Sequence, residues 1–295
     1  MEFKSGFINI IGHPNVGKST LMNALVGERL SIITSKPQTT RQRIMGIVNG
    51  EGWQMVFSDT PGIIDRPAYT LQKNMNAFVN QALEDADILI ILTDPFDRFE
   101  PEMPAFMAIA ALEIPLLVVI NKADLFKDQE HTSLIYSQWS ERLPGKEILT
   151  ISALQKTGLD ILQSRLLELL PEGPQYYPED QLTDRNVRFY AAEIIREKIL
   201  ELYKQEVPYS CQVDVEYYQE GDDLDRISAA IFVNRKSQKP ILIGRDGQAI
   251  KKLGIAAREA IETFIDKKVY LELVVKIKED WRDNPHALDN FGYRF

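Results

Sequence analysis

The residues best suited to chemistry lie in Gly12-His13-Pro14-Asn15-Val16-Gly17-Lys18-Ser19-Thr20, a stretch of the form G-x-x-x-x-G-K-S. Glycines there let the backbone turn tightly and aim several N–H groups at one point. Lys18 can reach the β- and γ-phosphates of a nucleotide, and the Ser19 hydroxyl can ligate Mg²⁺. An apolar run, Gly6-Phe7-Ile8-Asn9-Ile10-Ile11, comes before the loop, and a helical pattern, Leu21 to Leu25, follows it up to Gly27. The helix N-terminus would add partial positive charge where an anion sits. A chance glycine turn would lack this strand–loop–helix setting.

Two further clusters extend the site. Ser58-Asp59-Thr60-Pro61-Gly62 puts D-x-x-G at the carboxyl end of an apolar run, Trp53 to Phe57. Asp59 is suited to holding Mg²⁺ through water, and the Gly62 N–H can approach a γ-phosphate because no side chain intervenes. Between the two motifs, Arg29 to Arg43 is polar and aperiodic, which reads as a loop. Within it a threonine hydroxyl could complete the Mg²⁺ shell: Thr40 first, Thr39 as alternative. Asn121-Lys122-Ala123-Asp124 then selects the base. The Asp124 carboxylate can accept from guanine N1–H and N2–H₂, a pair of donors that adenine does not offer. A buried, unpaired Asp124 would cost roughly 1–3 kcal/mol, which disfavours ATP. The Lys122 stem can cover the base face, and Asn121 can tie its loop to the first motif. Ser152-Ala153-Leu154 ends another strand, and the Ala153 N–H is expected to donate to guanine O6. The nucleotide-binding set is therefore 12–20, Asp59 to Ile63, 121–124 and 152–154, with Ser19, Thr40 and Asp59 as metal ligands.

These loops need a scaffold. Strands are expected at Ile44–Val48, Trp53–Phe57, Ile88–Leu92, Pro115–Ile120 and Glu147–Ile151, with a hairpin turn at Asn49-Gly50. Helices are expected over 71–86, over 101–111 and along Leu159 to Leu170. Alternating strands and helices with continuous apolar runs predict a mostly parallel sheet covered on both faces, with the ligand across its carboxyl edge. The loops at 29–43 and 63–69 are the elements that γ-phosphate and Mg²⁺ would order.

Composition bounds what else the chain does. With 295 residues, 44% of them hydrophobic, it is long enough for about two globular domains. The net charge of −9 argues against nucleic acid, yet Arg226 to Lys278 carries 12 basic against 5 acidic residues, net +7. The single cysteine, Cys211, allows no internal disulfide and suggests a reducing compartment. It alternates with polar residues, as a strand or core position would. His13, His131 and His286 lack metal-ligand spacing. No signal peptide opens the chain, and its apolar runs are far short of the ~18 residues of a membrane span.

After Pro171-Glu172-Gly173-Pro174 periodicity breaks down, and 172–185 reads as a linker between a domain at 1–171 and a second at 186–278. The second domain reads as a helix (Asn186–Tyr203), two strands (around Cys211–Val215 and Ile227–Asn234), a helical pair around Gly244-Arg245-Asp246-Gly247, and a strand (Val269–Ile277). A lone G-x-x-G is weak, but this one sits inside the basic segment and in this order, which is the bacterial-type K-homology (KH) signature. Its tight loop lets a sugar–phosphate backbone lie against main-chain N–H groups. The candidate RNA-binding residues are Arg235, Ile243, Gly244, Arg245, Asp246, Gly247, Gln248, Lys251 and Lys252. The tail, 279–295, is short and polar-aromatic and suggests no function.

Taken in order, Gly12–Ser19, Gln38-Thr39-Thr40-Arg41, Asp59–Gly62, Asn121–Asp124, Ser152–Leu154 and Gly244–Gly247 make the chain resemble the Era family, bacterial Ras-like GTPases with a carboxyl-terminal KH domain. The resemblance covers essentially the whole chain, and no second P-loop is present as tandem-domain relatives would have. It implies a Ras-like α/β P-loop G domain followed by a smaller α+β type II KH domain, with GTP binding and slow hydrolysis. It also implies binding to the single-stranded 3′ end of small-subunit (16S) ribosomal RNA and a role in 30S assembly. The expected partners are GTP, GDP, that RNA and the 30S precursor, for a cytoplasmic monomer; family members also associate peripherally with the inner membrane. A GTPase signalling to membrane or protein, with a purely structural KH domain, is the alternative.

A Ras-type enzyme carries a glutamine after D-x-x-G to orient the attacking water, whereas this chain has Ile63. Intrinsic turnover should therefore be slow. The resemblance makes Asn15 the counterpart of an asparagine that holds K⁺ beside the phosphates, so K⁺ joins Mg²⁺ as an expected cofactor. The catalytic candidates are Asn15, Lys18, Thr40 and Gly62.

Overall fold

The computed structural model describes residues 2–96, 109–126 and 128–294, so most of the helix expected over 101–111 lies outside the described residues. The chain divides into two compact units. The first comprises Met1–Ser31, Thr40–Pro67 and Met75–Asp184; the second comprises Ile32–Thr39, Ala68–Asn74 and Arg185–Phe295.

The first unit is built on six strands: β1 (Lys4–Ile11), β2 (Ile44–Gly50), β3 (Trp53–Asp59), β4 (Ile88–Thr93), β5 (Leu116–Ile120) and β6 (Glu147–Thr150). Their order is β2-β3-β1-β4-β5-β6, and only β2 runs antiparallel to its neighbour. Every residue of β4 and β5 is buried, as continuous apolar runs demand in a parallel sheet with both faces covered. The connection after β1 leads toward β2 on one side and that after β4 toward β5 on the other, which makes the carboxyl ends of these neighbouring strands the topological switch point where ligands settle. Helices α1 (Lys18–Val26), α2 (Thr70–Glu84), α3 (Gln129–Arg142) and α4 (Leu159–Leu169) alternate with the strands.

Two local expectations are corrected. Asn49 and Gly50 pair with Gln54 and Trp53 in the ladder, so the turn falls at Glu51-Gly52, where Gly52 has φ 77°. Only a residue without Cβ takes that conformation cheaply. The expected linker is laid along the first unit. Ile47 N–H donates to Leu182 O at 2.8 Å, and the Asn49 amide donates to Glu179 O at 2.9 Å. The Gln54 side chain accepts from the N–H groups of Tyr176 and Tyr177. The segment thus covers the edge of β2, which would otherwise present unpaired backbone groups.

In the second unit, α5 (Val187–Leu202), β7 (Cys211–Gln219), β8 (Leu224–Val233), α6 (Gln238–Ile243), α7 (Gln248–Ile265) and β9 (Lys268–Ile277) follow in the expected order. β8 pairs antiparallel with β7 and parallel with β9. Asn186 caps α5 by accepting the Phe189 N–H at 3.0 Å. Leu253, Ala257 and Ile261 recur at helical spacing on α7 and are fully buried against Ile195, Ile199, Ile227 and Ile231. Burying each leucine or isoleucine contributes about 1.5–3 kcal/mol. Cys211 is part of this core.

The tail is integral to the second unit. Trp281 is buried and donates to Ser210 O at 3.0 Å, and α8 (Pro285–Asn290) follows. The Tyr293 hydroxyl donates to Gln212 Oε1 at 2.8 Å, and Leu71 N–H donates to Arg282 O at 2.9 Å.

Candidate functional site

Gly12 and Gly17 have φ of 155° and 102°, and a Cβ on either would collide, with Leu92 O at 2.2 Å and Asn121 Nδ2 at 2.3 Å. The loop therefore packs directly on the neighbouring strand and the base-selecting loop. α1 starts at Lys18 with no side-chain cap at Gly17, which leaves its first-turn N–H groups for an anion. Lys18 is 6% exposed, and its ammonium folds back over the loop to donate to Gly12 O at 3.0 Å and His13 O at 2.9 Å.

Three residues from distant parts of the chain meet below this loop. Ser19 Oγ donates to Asp59 Oδ2 at 2.7 Å, Thr40 Oγ1 donates to the same oxygen at 3.3 Å, and the two hydroxyl oxygens lie 3.0 Å apart. Thr39 is turned away, bonding Thr34 Oγ1 at 2.7 Å and Lys36 O at 2.6 Å. Asp59 is fully buried. Burial raises its pKa, against the opposing pull of the Ser19 hydroxyl, the Lys18 charge and the hydroxyls of Ser31 and Thr40. Its other oxygen, Oδ1, is buried without a hydrogen bond of normal geometry. A buried carboxylate with an open oxygen and two convergent hydroxyls is a donor set that fits a hard, oxygen-seeking divalent cation.

The D-x-x-G loop lies against the P-loop. The Thr60 hydroxyl donates to Ile10 O at 2.9 Å, and a Cβ on Gly62 would come 2.8 Å from Pro14 N. Ile63 packs its side chain among Ile11, Val79, Leu89 and Ile91, so only its backbone is available to a nucleotide.

The base loop is cross-tied. Asn121 is 2% exposed; its Nδ2 donates to Val16 O at 2.9 Å, and its Oδ1 accepts the Ala153 N–H at 2.9 Å. The Ala153 N–H, expected to donate to guanine O6, here meets a partner 32 residues away in sequence. Asp124 is exposed, not buried, and accepts from the Ser152 hydroxyl. Leu154 is 76% exposed. Lys122 donates to Asn15 O at 2.7 Å and to Asp94 Oδ2 at 2.5 Å. No motif marked Asp94; its position directly after a buried strand was the available signal.

In the second unit Gly244 (φ 73°, ψ 175°) occupies a conformation open only to glycine. Asp246 and Gly247 follow with φ of 52° and 73°. The Arg245 and Asp246 side chains are 97% and 83% exposed, and Arg235, Gln248, Lys251 and Lys252 are exposed as well. Ile243 is half-buried against the core. Sequence reasoning missed the groove beside this loop. Ile250, Gly254, Ile255, Leu271 and Leu273 line it with Lys251 and Arg258, enclosing about 340 Å³. An apolar trough with cationic residues, next to the exposed G-x-x-G loop, suits unstacked bases and their phosphates.

Comparison with known proteins matches this division. Residues 7–122 fit the family model described as 50S ribosome-binding GTPase, and 206–282 fit that of the KH domain. The GTPase Era of Syntrophus aciditrophicus is 43% identical over 294 residues, 99% of this chain and 95% of the relative. That of Xylella fastidiosa is 40% identical over 293 residues, 99% and 98% of the two chains. This chain belongs to the Era family of GTPases. Among solved Era structures, one in complex with MgGDPNP and nucleotides 1506–1542 of 16S ribosomal RNA superposes with a TM-score of 0.93 at 38% identity, covering 99% of this chain and 100% of that one. An Era variant from Aquifex aeolicus bound to GDP·AlF4⁻ gives 0.94, also at 38% identity and with the same coverage. Era membership makes the chain a GTPase and its second unit a KH domain.

Proposed function

We propose that this Era-family chain is a GTP-hydrolysing switch that binds the single-stranded 3′ end of small-subunit ribosomal RNA through its KH domain and acts in 30S assembly. The observation that carries the proposal is the meeting of Ser19, Thr40 and Asp59 under the P-loop, in a chain that also presents an exposed G-x-x-G loop. Thr40 belongs to a loop far from Ser19 and Asp59 in sequence, so a cation holding all three ties the loop's conformation to the nucleotide. The Era structure containing MgGDPNP and 16S ribosomal RNA supports both halves of the reading.

Each residue has a distinct part. Backbone N–H groups of the P-loop and the start of α1 cradle the phosphates. The Lys18 ammonium, held ready at two loop carbonyls, moves onto the β- and γ-phosphate oxygens as a point charge. The Gly62 N–H approaches the γ-phosphate. Asp124 pairs with the guanine edge. Ser19, Thr40 and Asp59 hold Mg²⁺, which neutralises phosphate charge when bound. With Ile63 packed in the core, no side chain at that position orients water, so the unaided reaction is slow. On the family resemblance, Asn15, exposed and left-handed (φ 69°) in the loop, would hold K⁺ beside the phosphates, where a cation would offset transition-state charge.

The proposal includes a monomer in the cytoplasm. No helix among the described residues is long and apolar enough to cross a membrane. Family resemblance alone supports a peripheral association with the inner membrane.

The test is RNA capture by the full chain loaded with GDP or a non-hydrolysable GTP analogue, followed by sequencing of crosslinked fragments. Enrichment of the small-subunit 3′ end, dependent on nucleotide state, is the expected outcome. Recovery of RNA without that enrichment would defeat the proposal.

A further inference from the structure

Asp94 is the buried carboxylate at the nucleotide site that the phosphate and base motifs leave unused. It directly follows β4, and its side chain is 8% exposed. Its Oδ2 takes the Lys122 ammonium at 2.5 Å, and its Oδ1 accepts the Phe96 N–H at 2.8 Å. Lys122 also donates to Asn15 O at 2.7 Å, while Asn121 donates to the next carbonyl, that of Val16, at 2.9 Å. The base loop therefore grips two successive carbonyls of the P-loop.

The lysine in the first of these contacts is held in an unusual way. Lys122 has φ of 60°, a left-handed conformation that costs a lysine about 1–2 kcal/mol without support from its surroundings; Asn15, at φ 69°, is of a type that takes it more readily. A lysine stem is flexible and its ammonium strongly hydrated, so a lone carbonyl is a weak reason for it to stay in one rotamer. A buried carboxylate on the far side of the ammonium supplies that reason, because charge-assisted hydrogen bonds are the strong ones.

We propose that Asp94 is a positioning residue for the nucleotide. It pins the Lys122 ammonium between β4 and Asn15, keeps the lysine stem extended across the plane where the guanine face lies, and so sets how long guanine nucleotide stays bound. This rests on the reading of Asn121–Asp124 as the base-recognition loop.

Asp94→Asn is the informative substitution. It preserves the oxygen that accepts from Phe96 N–H and removes the charge that holds Lys122. Release of a fluorescent GDP is measured from the full chain for the parent, D94N, D94E, K122M and the D94N/K122M double variant, together with the melting temperature of each. D94N is expected to release GDP about tenfold faster, the effect of losing one charge-assisted bond at a partly exposed site. D94E, which keeps the charge, should lie closer to the parent. The double variant should release no faster than K122M alone, because Asp94 acts through Lys122. Parental release by D94N overturns the proposal. So does a D94N effect that adds in full to that of K122M, since Asp94 would then act as a structural group elsewhere. Parental release by K122M instead defeats the base-loop reading beneath it, which separates the two failures. A melting temperature lowered in D94N without faster release also counts against the proposal.

Discussion

Replacing Gly62 by alanine isolates the γ-phosphate contact. Gly62 is not in the left-handed region, so alanine adds contact and no backbone strain. Its Cβ would sit 2.8 Å from both Pro14 N and Pro14 Cγ and 3.0 Å from Pro14 Cα. Ordinary carbon contacts begin near 3.4 Å, so about 0.6 Å must be found. The P-loop side yields little: its proline is ring-locked, and Lys122 and Asn121 hold the next two carbonyls at 2.7 and 2.9 Å. On the other side Thr60 is anchored to Ile10 O at 2.9 Å, but the Ile63 N–H reaches Gly12 O at a loose 3.4 Å. The displacement therefore falls on Gly62 and Ile63. It would lengthen a phosphate hydrogen bond from about 2.9 to about 3.5 Å, beyond useful range. Losing a hydrogen bond to a charged group is worth about 1.5–3 kcal/mol, or about 10- to 150-fold. That factor should appear in single-turnover GTP hydrolysis and in affinity for a non-hydrolysable GTP analogue. GDP lacks the γ-phosphate, so its affinity should stay within about twofold of the parent. If GDP weakens as much as the GTP analogue, or if hydrolysis is unchanged, the placement of Gly62 at the γ-phosphate is wrong.

Asp124→Asn should lower GTP affinity by about 100-fold and raise that for XTP, read by competition against labelled GDP; because Asp124 is exposed, the loss reflects bonds to the base rather than a stranded buried charge. Gly247→Asp adds a Cβ that meets nothing within 4 Å, so its only structural cost is about 1 kcal/mol of backbone strain at φ 73° and a modest fall in melting temperature, while the added charge beside the RNA backbone cuts affinity about tenfold or more; anisotropy with a single-stranded RNA at two salt concentrations checks this, the parent weakening as salt rises. Gly244→Asp is the harsher companion, because its Cβ would lie 2.9 Å from Ala249 N, and its melting temperature should fall. Hydrolysis should run faster in KCl than in NaCl at equal ionic strength, and Asn15→Ala should abolish the difference; equal parental rates in the two salts would remove Asn15 from catalysis.

The sequence by itself determined which loops carry the chemistry. Gly12–Thr20, Asp59–Gly62 and Asn121–Asp124 each end a short apolar run that can only be a buried strand, and a parallel sheet brings such ends to one edge. Local spacing was also enough for the order of the KH elements, because helical and strand periodicities are read within a few residues. Choices among near neighbours were beyond it. Thr39 and Thr40 are equivalent in sequence, and the fold turns one toward Lys36 and the other toward Asp59. The fold also brings the Ala153 N–H to Asn121, a contact that spacing along the chain does not announce. Asp94 meets Lys122, the segment at 172–184 covers β2, and the apolar groove forms between α7 and β9 through contacts between residues far apart in the chain. The tail became intelligible for the same reason: Trp281 and Tyr293 complete a core whose other members lie some 70 to 80 residues earlier. Motifs report which atoms can take part; only tertiary packing decides which partners hold those atoms in place before a ligand arrives.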